Sequence, residues 1–279
     1  MTIRGLSSVL ALLLIACAAA PQPEPARTQR QAIALNQSAR LAFERGNLIR
    51  ARQLYEQAYA ADASIENAEG IAMNALSLAH VHQLLGEPDE AQRYLDRVLE
   101  DTAPPIPRAR KAEAAARKAQ LALGAGDAAA AERWADTGLT LCANACTAQA
   151  ALLNLRARAA LARADNSAAL EWAARALSAA TDERGRTERA NALRVTGEAR
   201  LALGEQRAAI QALDQALALD QALGLPQRIY SDLMLLGRAH AGLGEREAAR
   251  SYFRRSLAVA DALKDADGAR QAQAALDQE

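Results

Sequence analysis

Apolar and polar positions alternate along most of the chain with the three-to-four-residue period of an α-helix, and short turns interrupt the pattern at regular intervals. Six turns align, at residues 46, 86, 126, 164, 204 and 244, and all are glycine except the alanine at 164. A small residue lies seven positions before each turn, and an alanine lies five positions after it. Glycine ends helices readily and small side chains let helices approach closely, so the pattern predicts six helical hairpins.

The first residues follow a different pattern, with an apolar segment from Leu6 to Ala16 that ends at Cys17. The segment is shorter than the roughly 20 apolar residues that span a bilayer, and it is typical of a secretory signal peptide. Its last residues, Leu-Ile-Ala-Cys, resemble the lipobox of bacterial lipoproteins, which implies cleavage before Cys17 and acyl chains such as palmitate on that residue. The alternative is an ordinary signal peptide cleaved after Ala18 or Ala20.

Three alternating prolines follow Cys17 and favour an extended chain. We therefore predict a lipoprotein signal peptide over residues 1–16, a lipidated cysteine with a proline-rich tether over 17–30, and a folded domain over 31–279. The lipoprotein resemblance implies a location in the bacterial cell envelope. Because Ala18 is not an aspartate, the sorting rule of that family favours the outer membrane, with the domain facing the periplasm.

The composition favours helices and argues against several classes of function. Hydrophobic residues make up 51% of the chain but aromatic residues only 3%, and the 33 basic residues equal the 33 acidic ones. A balanced charge is atypical of nucleic-acid binders, and few β-branched residues leave little to build strands. No motif combines a nucleophile with a base, no glycine-rich loop follows a strand, and the three histidines are not spaced to share a metal. We predict no enzyme and no cofactor.

The hairpin units resemble the tetratricopeptide repeat family. In the last unit, Gly244 is followed by Ala249, Phe253 and Ser256, which match the family's sequence of small, large and small residues. The resemblance covers about residues 30–263 and implies an all-α, right-handed solenoid of about six hairpins, with a polar capping helix over 265–278. The period of about 40 exceeds the family's usual length of about 34 residues, and HEAT-like repeats are the alternative.

In that family the first helix of each hairpin lines a concave groove that binds partners. Carried over position by position, the predicted partner groove comprises Asn36, Arg40, His80, Gln120, Asn154, Arg158, Asn191, Arg194, Met234 and Arg238. Its four arginines could favour an acidic partner, because a guanidinium holds a carboxylate through two hydrogen bonds. Glu113 and Glu198 lie on the same face and reduce its positive charge. The alternative is an ordinary solvated helix surface.

The two remaining cysteines, Cys142 and Cys146, lie four residues apart between two predicted hairpins. An oxidising periplasm favours a disulfide if the turn brings the two Cα atoms within about 7 Å. Free thiols are the main alternative, and a redox or metal site lacks a supporting motif.

Together these features predict a lipid-anchored periplasmic adaptor that binds a protein or peptide partner in its groove and supports assembly of an envelope complex. Such complexes include pilus or secretion machinery, peptidoglycan or protease assemblies, and transporters. The alternatives are a solenoid that binds a small molecule or lipid, and a structural lipoprotein that assembles into homo-oligomers.

Overall fold

The computed structural model describes residues 26–100, 103–143 and 146–279. The predicted signal peptide, Cys17 and most of the tether lie outside the described residues. The helix α1 begins at Arg27, four residues before the predicted start of the folded domain, because the last proline of the tether is Pro25 and the following residues favour a helix. No helix in the described part of the chain is long and apolar enough to cross a membrane.

Helices account for 84% of the described residues, and no strand occurs among them. The α-helices are α1 Arg27–Glu44, α2 Leu48–Ala63, α3 Ala68–Leu84, α4 Pro88–Leu99, α5 Arg108–Gly124, α6 Ala128–Cys142, α7 Gln149–Ala162, α8 Asn166–Ala179, α9 Arg186–Ala202, α10 Gln206–Leu223, α11 Pro226–Gly242, α12 Arg246–Leu263 and α13 Ala266–Gln278. A short 3₁₀ turn at Glu183–Gly185 precedes α9. The prediction of an all-α solenoid with six hairpins and a C-terminal capping helix is confirmed.

The hairpins stack in chain order. Each odd-numbered helix packs against the even-numbered helix that follows it, and α13 packs on α12. The odd-numbered helices also contact one another in series, from α1 to α3 and onward to α11. They therefore form a continuous inner layer, and the concave side of the solenoid lies along them.

The six aligned turns share one backbone conformation. Residues 46, 86, 126, 164, 204 and 244 all have a positive φ, between 60° and 79°. In every case the next amide donates to the carbonyl five residues earlier, at 2.8–3.0 Å, which satisfies a free carbonyl at the helix end. Glycine adopts this conformation without strain, whereas Ala164 adopts it against the steric preference of a side chain.

Alanine forms much of the core. The six alanines that lie five residues after each turn are fully buried, and the small residues seven before each turn are buried as well. These positions bring each pair of helices into close contact, as the repeat pattern predicts. Larger side chains such as Leu95, Leu213 and Phe253 fill the space between hairpins. The narrow layers thus bury a core that contains few aromatic residues.

A disulfide lies in the connection between the third and fourth hairpins. The structure pairs Cys142, the last residue of α6, with Cys146, and their Cα atoms lie 5.2 Å apart. The Cys142 side chain is buried against Ala112 and Leu152. The disulfide therefore closes the connection between α6 and α7 next to the core.

Candidate functional site

A cavity of about 390 Å³ opens on the concave side of the solenoid, with walls from α5, α7, α9 and α11. Five residues of the predicted groove line it, namely Gln120, Asn154, Arg158, Asn191 and Arg194. The cavity also contains Glu188, Glu198 and Arg228. Its size lies in the range of ordinary ligand pockets, about 300–1,000 Å³, but its lining carries many charged groups.

The two asparagines of the cavity donate hydrogen bonds to one carboxylate. Asn154 is buried and donates both to the backbone oxygen and to Oε2 of Glu188, each at 2.8 Å. Asn191 donates to the same Oε2 at 3.1 Å. Glu188 thus orients both amides. Oδ1 of Asn154 has no partner in the described part of the chain.

Arg194 does not present a free guanidinium to the groove. Its Nε donates to Oδ1 of Asp232 at 2.6 Å, and its Nη2 donates to Oδ2 of Asp220. Both aspartates are fully buried, so Arg194 forms ion pairs with carboxylates inside the protein. Burial raises the pKa of Asp232 to about 6, which the charge and hydrogen bond of Arg194 oppose and the nearby Asp220 reinforces. Arg194 was predicted to be one of the partner-binding arginines, but its guanidinium is used to pair with these two buried carboxylates.

Three other charged side chains of the groove remain without such partners. Arg158 and Arg238 are exposed, and Glu198 is partly buried between their helices. Burial raises the pKa of Glu198, while the positive charges of Arg194, Arg158 and Arg238 lower it in part. Arg228 also lines the cavity, and its Nη1 is buried without a hydrogen-bond partner among the described residues. Arg228 lies in the first turn of α11, outside the positions that the family resemblance assigns to the groove.

The predicted groove residues of the first two hairpins lie outside this cavity. Asn36 donates to Oδ1 of Asn74 at 2.7 Å, and the exposed Arg40 pairs with Glu44 at 3.4 Å. The rings of His80 and Phe43 lie 5.2 Å apart. Burial lowers the pKa of His80, and the charge of Arg117 lowers it further. His80 therefore favours its neutral form in the folded protein.

Met234 is largely buried in the core, although it also lines a pocket together with the predicted groove residue Arg238. Only 6% of the residue is exposed, and the hydroxyl of Ser256 lies 3.1 Å from its sulfur. The family resemblance places this side chain in the partner groove. The capping helix contributes Ala272 and Leu276 to the same cluster, which covers Met234 at the end of the solenoid.

Among the described residues, no group of three or more His, Cys, Asp or Glu side chains could hold a metal ion. The histidines pair with neighbouring side chains instead. His82 and His240 occupy equivalent places, and Nδ1 of each lies 2.6 Å from a carboxylate oxygen, of Glu87 and Glu245 respectively. The cavity itself is lined by charged and amide side chains, which equip it for ionic and hydrogen-bonding contacts.

Two family models match the chain, both described as tetratricopeptide repeat, over residues 30–102 and 233–262. These ranges lie at the two ends of the solenoid and include the first two hairpins and the last turn. No curated protein matches the chain.

Solved structures of similar shape come from varied proteins. The type IV pilus biogenesis factor PilW matches with a TM-score of 0.62 and 15% identity, over 86% of this chain and 97% of PilW. A chain of the APC/C hetero-tetramer Cut9–Hcn1 matches with a TM-score of 0.68 and 16% identity, over 88% of this chain. The STAND protein PH0952 from Pyrococcus horikoshii, which has a tetratricopeptide repeat sensor, matches with a TM-score of 0.65 and 16% identity, over 88% of this chain.

This chain spans only 44% of the matched Cut9–Hcn1 chain and 37% of PH0952. At such low identities the likeness establishes the shared fold alone. The same solenoid thus occurs in proteins with different roles.

Proposed function

Because the chain is a tetratricopeptide repeat protein, with the architecture of a protein-interaction scaffold, we propose that it binds a protein or peptide partner in its concave groove and thereby supports assembly of an envelope complex. The observation that carries this proposal is the cavity between α5 and α11, where Arg158 and Glu198 lack internal ion-pair partners among the described residues. Unpaired charged groups on a rigid concave surface favour binding, because a partner can satisfy them without breaking contacts in the protein.

The envelope part of the proposal rests on the N-terminal sequence. An apolar segment ending in Leu-Ile-Ala-Cys at Cys17 is the pattern of a lipid-anchored protein. The likeness to PilW, a pilus biogenesis factor of similar length, makes an assembly role in the envelope a reasonable specific form of the proposal. The location we propose is the periplasmic face of the outer membrane.

Membrane attachment can be tested at one residue. Replacing Cys17 by serine removes the thiol that the lipid needs, so the Cys17→Ser protein should leave the membrane fraction, while wild type stays in it after a high-salt wash. Metabolic labelling with radioactive palmitate should mark the wild type only. Firm attachment of the variant, or absence of label from the wild type, would refute the lipid anchor.

Partner binding calls for affinity capture from detergent-solubilised envelope, followed by mass spectrometry. The test variant is Arg158→Glu with Arg238→Glu, which reverses two exposed charges on the inner helices. The matched control is Arg207→Glu with Arg254→Glu, which reverses two exposed charges on α10 and α12, in the outer layer. Helical circular dichroism should be the same for all three proteins.

The expected result is a partner that the wild type and the control capture and the groove variant loses. Equal capture by the groove variant would contradict use of this part of the groove. If nothing is captured and light scattering shows oligomers that grow with concentration, the self-assembly alternative replaces the proposal. If a small molecule co-purifies with the wild type instead, the ligand-binding alternative does.

A further inference from the structure

Side chains of alternating charge follow one another across three neighbouring helices of the groove. Arg158 on α7, Glu198 on α9 and Arg238 on α11 each lie six residues before a turn, at 164, 204 and 244. They therefore occupy the same place in three consecutive repeats, in the order positive, negative, positive. We call these three residues the charge row.

The side chains of the charge row are not engaged in salt bridges or hydrogen bonds within the described part of the protein. Arg194, one helical turn before Glu198, differs in this respect because both of its pairs are buried. Glu198 is still close enough to Arg158 and Arg238 for their charges to act on its carboxyl group. The row thus presents charges that a ligand could pair with.

The spacing of the helices selects a particular peptide conformation. The inner helices α7, α9 and α11 contact one another in series, and packed helices lie about 8–10 Å apart. A peptide in the polyproline II conformation rises about 3.1 Å per residue with three residues per turn, so every third side chain points the same way at intervals of about 9 Å. In a β-strand successive side chains point in opposite directions. Of residues at every third position, only every second one would therefore face the row.

We propose that the charge row binds a polyproline II segment in which an acidic, a basic and a second acidic residue recur at every third position. This inference rests on the proposed function and specifies its partner. The acidic residues pair with Arg158 and Arg238, and the basic residue pairs with Glu198. Because a polyproline II segment is already extended when free, it loses less conformational entropy on binding than a flexible peptide does.

The test is fluorescence anisotropy with the detergent-solubilised full-length protein and end-blocked, labelled peptides. The matched probe is Glu-Pro-Pro-Lys-Pro-Pro-Glu. The charge-inverted probe is Lys-Pro-Pro-Glu-Pro-Pro-Lys, and the register probe, Glu-Pro-Lys-Pro-Pro-Pro-Glu, keeps the composition but moves the lysine by one position. We expect the matched probe to bind at least about tenfold more tightly than either of the others. The inverted probe brings like charges together across the groove, and the register probe turns its lysine away from Glu198.

A charge reversal in the protein provides a more specific test. The variant Glu198→Arg should lose the matched probe and gain affinity for Glu-Pro-Pro-Glu-Pro-Pro-Glu, whereas Arg207→Gln with Arg254→Gln on the outer layer should leave all affinities unchanged. Circular dichroism checks that the variant is folded, and an unfolded Glu198→Arg protein is replaced by Glu198→Gln, which should reduce the preference for lysine. Equal binding of the matched and register probes, or no saturable binding of the matched probe, would overturn the inference.

Failure of this inference can be told apart from failure of the proposed function. If the peptides do not discriminate but the Arg158→Glu and Arg238→Glu variant still loses a captured partner, the groove binds a partner of different chemistry. If the variant captures the partner as the wild type does, the proposed use of the groove itself is wrong.

Discussion

Two junctions between hairpins use the same three repeat positions with different chemistry. The first position lies ten residues before one of the six aligned turns. The second lies sixteen residues after the same turn, and the third lies twelve residues before the next turn. The first junction holds Asn36, Asp62 and Asn74, and the second holds Arg194, Asp220 and Asp232. In each case side chains from three helices meet where one repeat packs on the next.

The first junction contains one carboxylate surrounded by amides. Asn67 and Asn74 donate to the two oxygens of Asp62, at 2.7 and 2.8 Å, and Asn36 donates to Asn74 at 2.7 Å. Burial raises the pKa of Asp62, and the two amide hydrogen bonds lower it in part. Gly70 lies so close to the carboxylate of Asp62 that a side chain at this position would overlap it.

The second junction contains two buried carboxylates and one guanidinium. Arg194 compensates only one negative charge, and Oδ1 of Asp220 has no partner among the described residues. The comparison shows that one site in a repeat can be filled by neutral hydrogen bonds or by an ion cluster. The ion cluster depends far more strongly on each of its members and on pH.

The largest difference between the junctions should appear when the central donor is removed. Replacing Arg194 by methionine leaves two buried carboxylates unpaired and should lower the free energy of unfolding by about 3–5 kcal/mol. Asn36→Leu at the equivalent position removes one neutral hydrogen bond and should lower it by about 1–2 kcal/mol. Urea unfolding followed by circular dichroism measures both. Equal losses would mean that the charge of Arg194 contributes little.

The second junction should also respond to pH. Because the pKa of Asp232 is raised in the folded state from 3.8 to about 6, its stabilising contribution is complete below about pH 4 and is lost as the pH rises through about 6. Asp232→Asn keeps an acceptor for Arg194 without the second charge. At about pH 7.5 the variant should be more stable than the wild type by about 3 kcal/mol.

Urea unfolding from about pH 4 to about pH 7.5 measures this effect. The matched control is Asp261→Asn, at an exposed position of α12. Its unfolding profile should follow that of the wild type. A wild-type protein that gains stability over this range relative to Asp232→Asn would contradict the prediction.

The smallest effect is expected at the edge of the first junction. Asn67→Ala removes one of the two amide donors to Asp62 and should lower the free energy of unfolding by about 1 kcal/mol, because water can reach this partly exposed position and replace part of the bond. Asn166→Ala, at the start of α8, is the control. A loss of stability as large as that of Arg194→Met would contradict the expected difference between the neutral and the ionic junction.

Much of the fold follows from features that the sequence displays directly. The turn at Gly204, the small residue Gly197 before it and Ala209 after it predict a hairpin, and the structure has one there. These features act locally or between adjacent helices, so their positions along the chain are enough to identify them.

The groove was harder to predict because exposure depends on the neighbouring repeats. Arg158 and Arg194 were both predicted to face the groove, yet only Arg194 meets buried carboxylates from α10 and α11. Sequence analysis did not single out Asp220 or Asp232. The available signal was the recurrence of polar residues at the same repeat positions, as at Asp62 and Asn74.

The serial stacking of the hairpins also has a mechanical consequence. Each hairpin rests mainly on its two neighbours, so small tilts between successive pairs add up along the array. When such a molecule is pulled at its two ends, it behaves as a spring whose compliance is the sum of the compliances of its junctions. The disulfide between Cys142 and Cys146 shortens the length of chain that can extend between α6 and α7.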